Sequence, residues 1–230
     1  MHIALIPDGN RRFMRKVGIA DLAKSYGMGI RRFYDFLSWC SELGVKEVTI
    51  YALSTENIEN RTKEELRTLF RVFSEQAKAA LSDKRIKEKN VRVNICGNRE
   101  YLLNGVREPE LAKELVKNLS ALEHATEKNS GSILNMAIAY GGRQEITNAA
   151  SEVAKLGLPI TEENIRKHLW VKSYPDIVIR TAEDRLSNFL VWQSAYSEIY
   201  FPNKLWQEFT KEDLKEIIDD YNGRERRFGK

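Results

Sequence analysis

Two hydrophobic periods alternate along the chain. Five short runs, His2–Ile6, Val45–Leu53, Val91–Gly97, Ile133–Tyr140 and Asp176–Thr181, each carry four or more apolar or β-branched residues between turn formers. That is the pattern of strands buried on both faces. Glu198–Phe201 is a short sixth candidate. Between the runs, apolar residues recur every three or four positions: Leu66, Leu69, Phe70, Phe73, Ala77 and Leu81 mark one face of a helix over about Thr62–Ser82. The same spacing predicts helices over about Leu22–Leu43, Pro109–Glu127, Arg143–Leu156, Thr161–Leu169 and Thr210–Asn222.

Strands separated by helices imply crossovers, and crossovers imply parallel pairing. The expected fold is therefore α/β, a single domain over residues 1–230 with a central, mainly parallel six-stranded sheet flanked by helices. In such sheets ligands collect beyond the carboxyl ends of the strands. This directs attention to Asp8–Arg12, Ser54–Arg61, Gly97–Arg99, Tyr140–Arg143 and Arg180–Asn188.

Composition narrows the field. A chain of 230 residues, 42% hydrophobic and 30% charged, buries one sizeable core and is not disordered over most of its length. The net charge of +4 suits an anionic small ligand or surface, but falls short of a typical nucleic-acid binder. No aromatic platforms are interleaved with the basic clusters at Arg11, Arg12, Arg15 and Lys16, at Arg31 and Arg32, or in the terminal RERRFGK, so no nucleic-acid partner is expected. Cys40 and Cys96 form neither a metal-ligand spacing nor a disulfide framework and read as structural thiols. No run reaches the roughly 18 apolar residues of a spanning helix, and no signal-peptide pattern opens the chain. A cytoplasmic location follows as an expectation.

The chemistry lies after the strands. Following the first run, Asp8-Gly9-Asn10-Arg11-Arg12 combines a flexible glycine with two guanidinium groups that can fork onto phosphate oxygens. An aspartate beside a phosphate is a conflict that a divalent cation resolves, because Mg²⁺ takes one or two carboxylates while phosphate oxygens and water complete its shell. The same five residues also suit an ordinary turn with solvated arginines. Ser54-Thr55-Glu56-Asn57, with Arg61 beyond, can orient a polar head group or simply start a helix. Arg180, Arg185 and Ser187 form a second candidate anion site beyond the fifth run. No Ser-His-Asp logic, metal-binding histidine pair or Walker lysine loop occurs. The combination points to an enzyme that holds two phosphorylated substrates together.

The segments HIALIPDGNRRF, YALSTENIENR, LNMAIAYGGR, DIVIRTAEDRLSNFLVWQSAYSEIYF and RERRFG occur in an order and spacing that resembles the cis-prenyltransferases, the family of undecaprenyl diphosphate synthase and dehydrodolichyl diphosphate synthase. The resemblance implies a homodimer with an apolar tunnel between sheet and helices. It implies sequential addition of isopentenyl diphosphate to an allylic prenyl diphosphate, each step forming a Z double bond and releasing diphosphate. Asp8 matches the family's Mg²⁺-binding aspartate, and Gly9, Asn10, Arg11 and Arg12 its allylic diphosphate loop. Ser54, Glu56, Asn57 and Arg61 match a second block, with Asn57 assisting proton removal or substrate positioning. Arg180, Arg185 and Ser187 match the isopentenyl diphosphate site, and Glu198 an acid that helps place the metal. Tyr26, ahead of Gly29, stands where many members carry a histidine; Asp184 replaces a second histidine, and Ile58 an aromatic residue. Ala52, Ser132 and the apolar face of the 62–82 helix are candidate tunnel positions, or plain core. A long product implies peripheral membrane contact. A non-catalytic partner subunit is the alternative, against which Asp8, Arg12, Arg180, Arg185 and Ser187 all argue.

Overall fold

All six apolar runs become strands in the computed structural model, which describes residues 1–104 and 106–224. Strands β1 (His2–Ile6), β2 (Glu47–Ser54), β3 (Val91–Cys96), β4 (Ser132–Tyr140), β5 (Ile177–Arg180) and β6 (Glu198–Tyr200) form one parallel sheet, ordered β3-β4-β2-β1-β5-β6. Ten helices connect them among the described residues: α1 (Asn10–Lys16), α2 (Leu22–Glu42), α3 (Thr55–Asn60), α4 (Lys63–Leu81), α5 (Lys84–Glu88), α6 (Arg99–Asn104), α7 (Pro109–Thr126), α8 (Gly142–Lys155), α9 (Glu162–His168) and α10 (Lys211–Gly223). The short α1, α5 and α6 were not expected, because five to seven residues are too few to display a helical period, whereas α3 is the helix start that Ser54-Thr55-Glu56-Asn57 left open.

Local chemistry sets the long helices' starts. Thr62 and Glu65 form a reciprocal capping box before α4, Thr210 and Asp213 another before α10, and Asp21 and Thr161 cap α2 and α9. Strand β2 starts two residues later than the apolar run, since the amides of Lys46 and Glu47 both turn to the Met1 carbonyl. It also runs one residue further, to Ser54, past an irregularity in its pairing with β4 between Tyr51 and Leu53.

One face of the sheet packs Ile3, Leu5, Val48, Ile50 and Leu134 against α2, α4 and α7. The other packs Ala4, Ile6, Tyr51 and Val178 under Phe189 and Leu190. The predicted apolar face of α4 divides in two. Leu66 and Phe70 are fully buried on the side that packs on α7, where Ser74 accepts from Asn118 at 2.5 Å. Leu69, Phe73 and Ala77, turned around the axis from them, line a cavity beside the sheet, and Leu81 reaches the surface.

Strand β1 is central, with β2 on one side and β5 on the other. Chain leaving β1 proceeds toward β2 and chain leaving β5 toward β6, which opens a crevice at their carboxyl ends. Gly97, at the end of β3, shows how tight this edge is. Its φ is +142°, and a Cβ would lie 1.9 Å from the Ile138 carbonyl oxygen.

Candidate active site

The crevice is closed by bonds between the residues that follow β1 and β5. The Asp8 amide donates to Thr181 Oγ1 at 2.9 Å, and that hydroxyl donates to the Asp8 carbonyl at 2.7 Å. Arg180 Nη2 donates to Asp8 Oδ2 at 2.8 Å, and the Gly9 amide to Asp8 Oδ1 at 2.6 Å. Gly9 has a φ of +103°, and a Cβ there would press on Leu205 and Ala182. Glycine is thus required twice over at the point where α1 begins.

Arg180 is buried, and it organises the loop after β5. Its Nη1 donates to Ser187 Oγ at 2.6 Å and to the Arg185 carbonyl, while Nε is buried without a partner. The loop needs such fixing: Ala182, Ser187, Asn188 and Leu190 all have positive φ, between 43° and 70°. Left-handed conformations at residues other than glycine cost on the order of 1–3 kcal/mol each and persist where surrounding contacts dictate them. Phe189 stacks on Tyr51 at 4.6 Å, and the Gly142 amide donates to the Asn188 carbonyl at 2.7 Å.

Two residues in this loop that sequence reasoning left unassigned prove central. The Glu183 carboxylate accepts from Arg12 at 2.9 Å and from Arg185 at 2.7 Å, so one acid joins an arginine from each candidate anion site. The Asn188 side chain donates to Glu56 Oε1 at 3.0 Å and accepts from the Arg143 amide at 2.9 Å, tying the loop to α3 and α8. Both lie within the flagged Arg180–Asn188 window. Which neighbours they reach depends on the loop's left-handed turns, which a non-glycine sequence does not announce.

The second block is divided between structure and chemistry. Ser54 Oγ caps α3 by accepting from the Asn57 amide at 3.0 Å. Burial would push the Glu56 carboxyl up, but hydrogen bonds, first among them that from Asn188, hold it below the usual carboxylate range. The Asn57 side chain is half-buried in the cavity wall. Arg61 Nη1 donates to Tyr26 Oη at 2.6 Å, its guanidinium lies 5.8 Å from that ring's centre, and its Nε is buried without a partner. Burial raises the Tyr26 phenol, so it stays protonated; its oxygen accepts from Arg61 while its own proton remains available to donate. Asn10 is spent on structure, its amide donating to the Pro7 carbonyl and accepting from Gln207. Arg11, exposed, lies 3.7 Å from Glu65.

Every predicted site residue except Glu198 lines one continuous cavity of about 1060 Å³. It runs from this polar rim between the sheet and helices α2 and α4, past Ala52, Phe73 and Ala77, to Ser132. Glu198 stands elsewhere. It pairs with Ile177 at the amino end of β5, level with Ile3, which is five residues or about 16 Å of strand from Asp8. Its carboxylate accepts from Arg224 at 2.6 Å. The expectation that Asp8 and Glu198 place one metal is therefore not met within a single chain, and no cluster of three or more metal-ligating side chains forms among the described residues. Residues 225–229 of the RERRFG segment lie outside the described residues.

A parallel sheet with guanidinium groups and a carboxylate at one edge, above a long apolar cavity, defines a protein that binds anionic head groups with greasy tails. Residues 6–229 match the family model Prenyltransf, described as "Putative undecaprenyl diphosphate synthase". The chain is 44% identical over its full length to the Tritrans,polycis-undecaprenyl-diphosphate synthase (geranylgeranyl-diphosphate specific) of Methanopyrus kandleri, covering 84% of that protein. It is 41% identical, again over its full length, to the isoprenyl transferase of Thermus thermophilus, covering 88% of it. The crystal structure of lavandulyl diphosphate synthase from Lavandula x intermedia in complex with dimethylallyl diphosphate superposes with a TM-score of 0.87 at 31% identity, covering all of this chain and 98% of the other. The chain belongs to the undecaprenyl diphosphate synthase family of prenyltransferases. Relatives named as catalysts support an enzyme over a non-catalytic subunit.

Proposed function

We propose that this enzyme condenses isopentenyl diphosphate with an allylic prenyl diphosphate, repeatedly, using Mg²⁺ and storing the growing chain in the cavity beside the sheet. The observation that carries this reading is the continuity of polar rim and apolar channel: Asp8, Arg12, Arg61, Arg185 and Ser187 share one cavity with Leu69, Phe73 and Ser132. Its volume lies at or above the roughly 300–1,000 Å³ of ordinary small-molecule sites, as a long tail requires.

Arg12 and Arg61 would hold the allylic diphosphate, and Arg185 with Ser187 the isopentenyl diphosphate. In each cycle the allylic C–O bond breaks and diphosphate leaves with the electron pair. The isopentenyl double bond attacks the allylic carbon, and loss of a proton restores neutrality. Guanidinium groups that face the leaving oxygen stabilise it most where its charge is greatest. Asn57, half-buried at the rim, would fix the reacting ends or steer the departing proton. Attack depends on near-contact alignment, which Asn188 serves by fastening the Arg185–Ser187 loop to the helix that carries Asn57.

The donor set suits magnesium carried in with substrate. Among the described residues Asp8 is the one carboxylate bonded to the buried Arg180, and its side chain is 37% exposed toward the rim. A single protein carboxylate with phosphate oxygens and water is a common Mg²⁺ shell. When bound there, Mg²⁺ would supply charge neutralisation for the departing diphosphate.

A homodimer fits the sheet edge, where Tyr196, Ile199 and Phe201 expose apolar surface. The primer of the Methanopyrus relative makes geranylgeranyl diphosphate the first substrate to try. Purified protein incubated with that primer, labelled isopentenyl diphosphate and Mg²⁺ is expected to give butanol-extractable polyprenyl products, lost on adding EDTA. No incorporation with any allylic primer would overturn the reading.

A further inference from the structure

Exposed side chains line the cavity at the opposite end of the sheet as well as at the rim, which marks a second mouth there. Its wall there includes Ser41, Lys46, Arg85 and Lys89, all exposed, together with Ser132 at the start of β4. Lys46 and Lys89 precede the amino ends of β2 and β3, so this opening lies a full strand length from Asp8 and Arg185.

The surface around it is strongly basic. The segment Lys78–Arg92 carries six basic and two acidic side chains, a surplus of four that equals the net charge of the whole chain. Arg85 is already engaged, forking onto Asp83 and lying 4.9 Å over the Tyr34 ring. Lys46, Lys84, Lys87 and Lys89 are all exposed, and none has an ion-pair partner among the described residues. Beside them Leu81, at the end of α4, is 37% exposed. One face therefore combines an open apolar channel, an exposed leucine and a collar of uncommitted lysines.

We propose that this distal collar docks on an anionic lipid bilayer, so that a prenyl tail outgrowing the channel passes into hydrocarbon while its diphosphate stays at the rim. The inference rests on the prenyltransferase reading for the identity of the tail, but the docking itself does not depend on turnover. A protein ligand would need apolar relief and shape on this face. The surface instead presents a helix of five residues, a lone leucine and a ring of long flexible cations, which match a negatively charged leaflet. No helix among the described residues is long and apolar enough to cross a membrane, so contact here is peripheral.

Vesicle co-sedimentation tests the idea. The full chain is spun with phosphatidylcholine vesicles, with and without 30% phosphatidylglycerol, at low and high salt; condensation is measured in parallel in vesicle-free buffer. Each lysine near an anionic leaflet contributes on the order of fivefold to partitioning. The double variant Lys84→Glu, Lys87→Glu, at exposed positions outside the cavity wall, is thus expected to lose at least about 25-fold in binding to anionic vesicles, with its rate on the first condensation unchanged. Lys155→Glu with Lys167→Glu, on α8 and α9, is expected to bind like the unaltered chain. Equal binding to neutral and anionic vesicles, or full binding by the Lys84→Glu, Lys87→Glu variant, overturns the proposal. Loss of vesicle binding supports it even if no primer is turned over, a result that would count only against the catalytic reading.

Discussion

Replacing Asp8 separates two duties of one carboxylate. Asp8→Ala strips an acceptor from the buried Arg180 guanidinium and another from the Gly9 amide. A hydrogen bond to a charged group contributes about 1.5–3 kcal/mol, and removing the partner of a fully buried charge costs about 3–5 kcal/mol. Here only Arg180 is buried, at 5% exposure against 37% for Asp8, and it keeps Ser187 Oγ and the Arg185 carbonyl. Water can reach the gap, so the smaller figure applies, about 2 kcal/mol. In a chain of this size each kcal/mol lowers Tm by about 2–4 °C, which gives an expected fall of about 4–8 °C. Asp8→Asn retains one oxygen for Arg180 or Gly9 and is expected to lose about half as much. Catalysis responds differently, because both variants lack the charge that would hold Mg²⁺. Each is expected to lose on the order of a hundredfold or more in turnover, the scale of removing one transition-state stabilising group. Calorimetry beside labelled isopentenyl diphosphate incorporation reads both effects. An Asp8→Ala protein with unaltered Tm would refute the Arg180 pairing, and an Asp8→Asn protein with near-normal turnover would refute the metal role.

Other substitutions probe the rim and the channel. Asn188→Ala cuts the link from the loop to Glu56 and to α8, and is expected to raise the KM for isopentenyl diphosphate about tenfold; combining it with Glu56→Ala should add little, since both remove the same Asn188–Glu56 hydrogen bond. A fully additive double variant in steady-state kinetics would show that the link does not matter. Tyr26→Phe leaves Arg61 without its oxygen partner and should raise the KM for the allylic substrate about fivefold, with the isopentenyl KM unmoved. The opposite split would reassign Arg61. Ser132→Leu narrows the far end of the cavity and should shorten the product ladder on thin-layer chromatography; an unchanged ladder would place the channel elsewhere.

What the sequence made legible follows from how local each cause is. Strand β1 ends at Ile6 because Pro7 and Gly9 break it, and α4 begins after Thr62 because its hydroxyl and Glu65 cap each other; both causes lie within four residues. The parallel order and the active edge follow from the alternation of elements, which is also written along the chain. Partners were harder. The resemblance implied Asn10 and Ser54 as diphosphate ligands, yet the Asn10 side chain meets Pro7 and Gln207, the latter 197 positions away, and Ser54 takes the helix-starting role that its residue type also allowed. Glu198 matched by motif but falls at the wrong end of its strand, a distance that only the register of β5 with β6 reveals. The split of α4 into a stripe toward α7 and a stripe toward the cavity was equally hidden, because periodicity gives an apolar arc without saying what lies against each half.

The rim is held ready by charges of both signs. Arg12, Arg61, Arg180 and Arg185 converge on one opening, and four guanidinium groups alone would repel one another and splay outward into water. Asp8 and Glu183 prevent this. Asp8 engages the buried Arg180, and Glu183 engages the two arginines nearer solvent, Arg12 and Arg185. The two carboxylates differ in how much they resist displacement. The Asp8 pair shares a buried guanidinium that also sets the Ser187 loop, so it persists as the frame of the site. Glu183 grips side chains that are 41% and 63% exposed, where an ion pair contributes at most about 1 kcal/mol. An arriving diphosphate, with more charge and more acceptor oxygens than one carboxylate, outcompetes it at either arginine. Because both arginines lean on the same acid, filling one anion site loosens the hold on the other, and the shared carboxylate favours the two sites being filled as a pair.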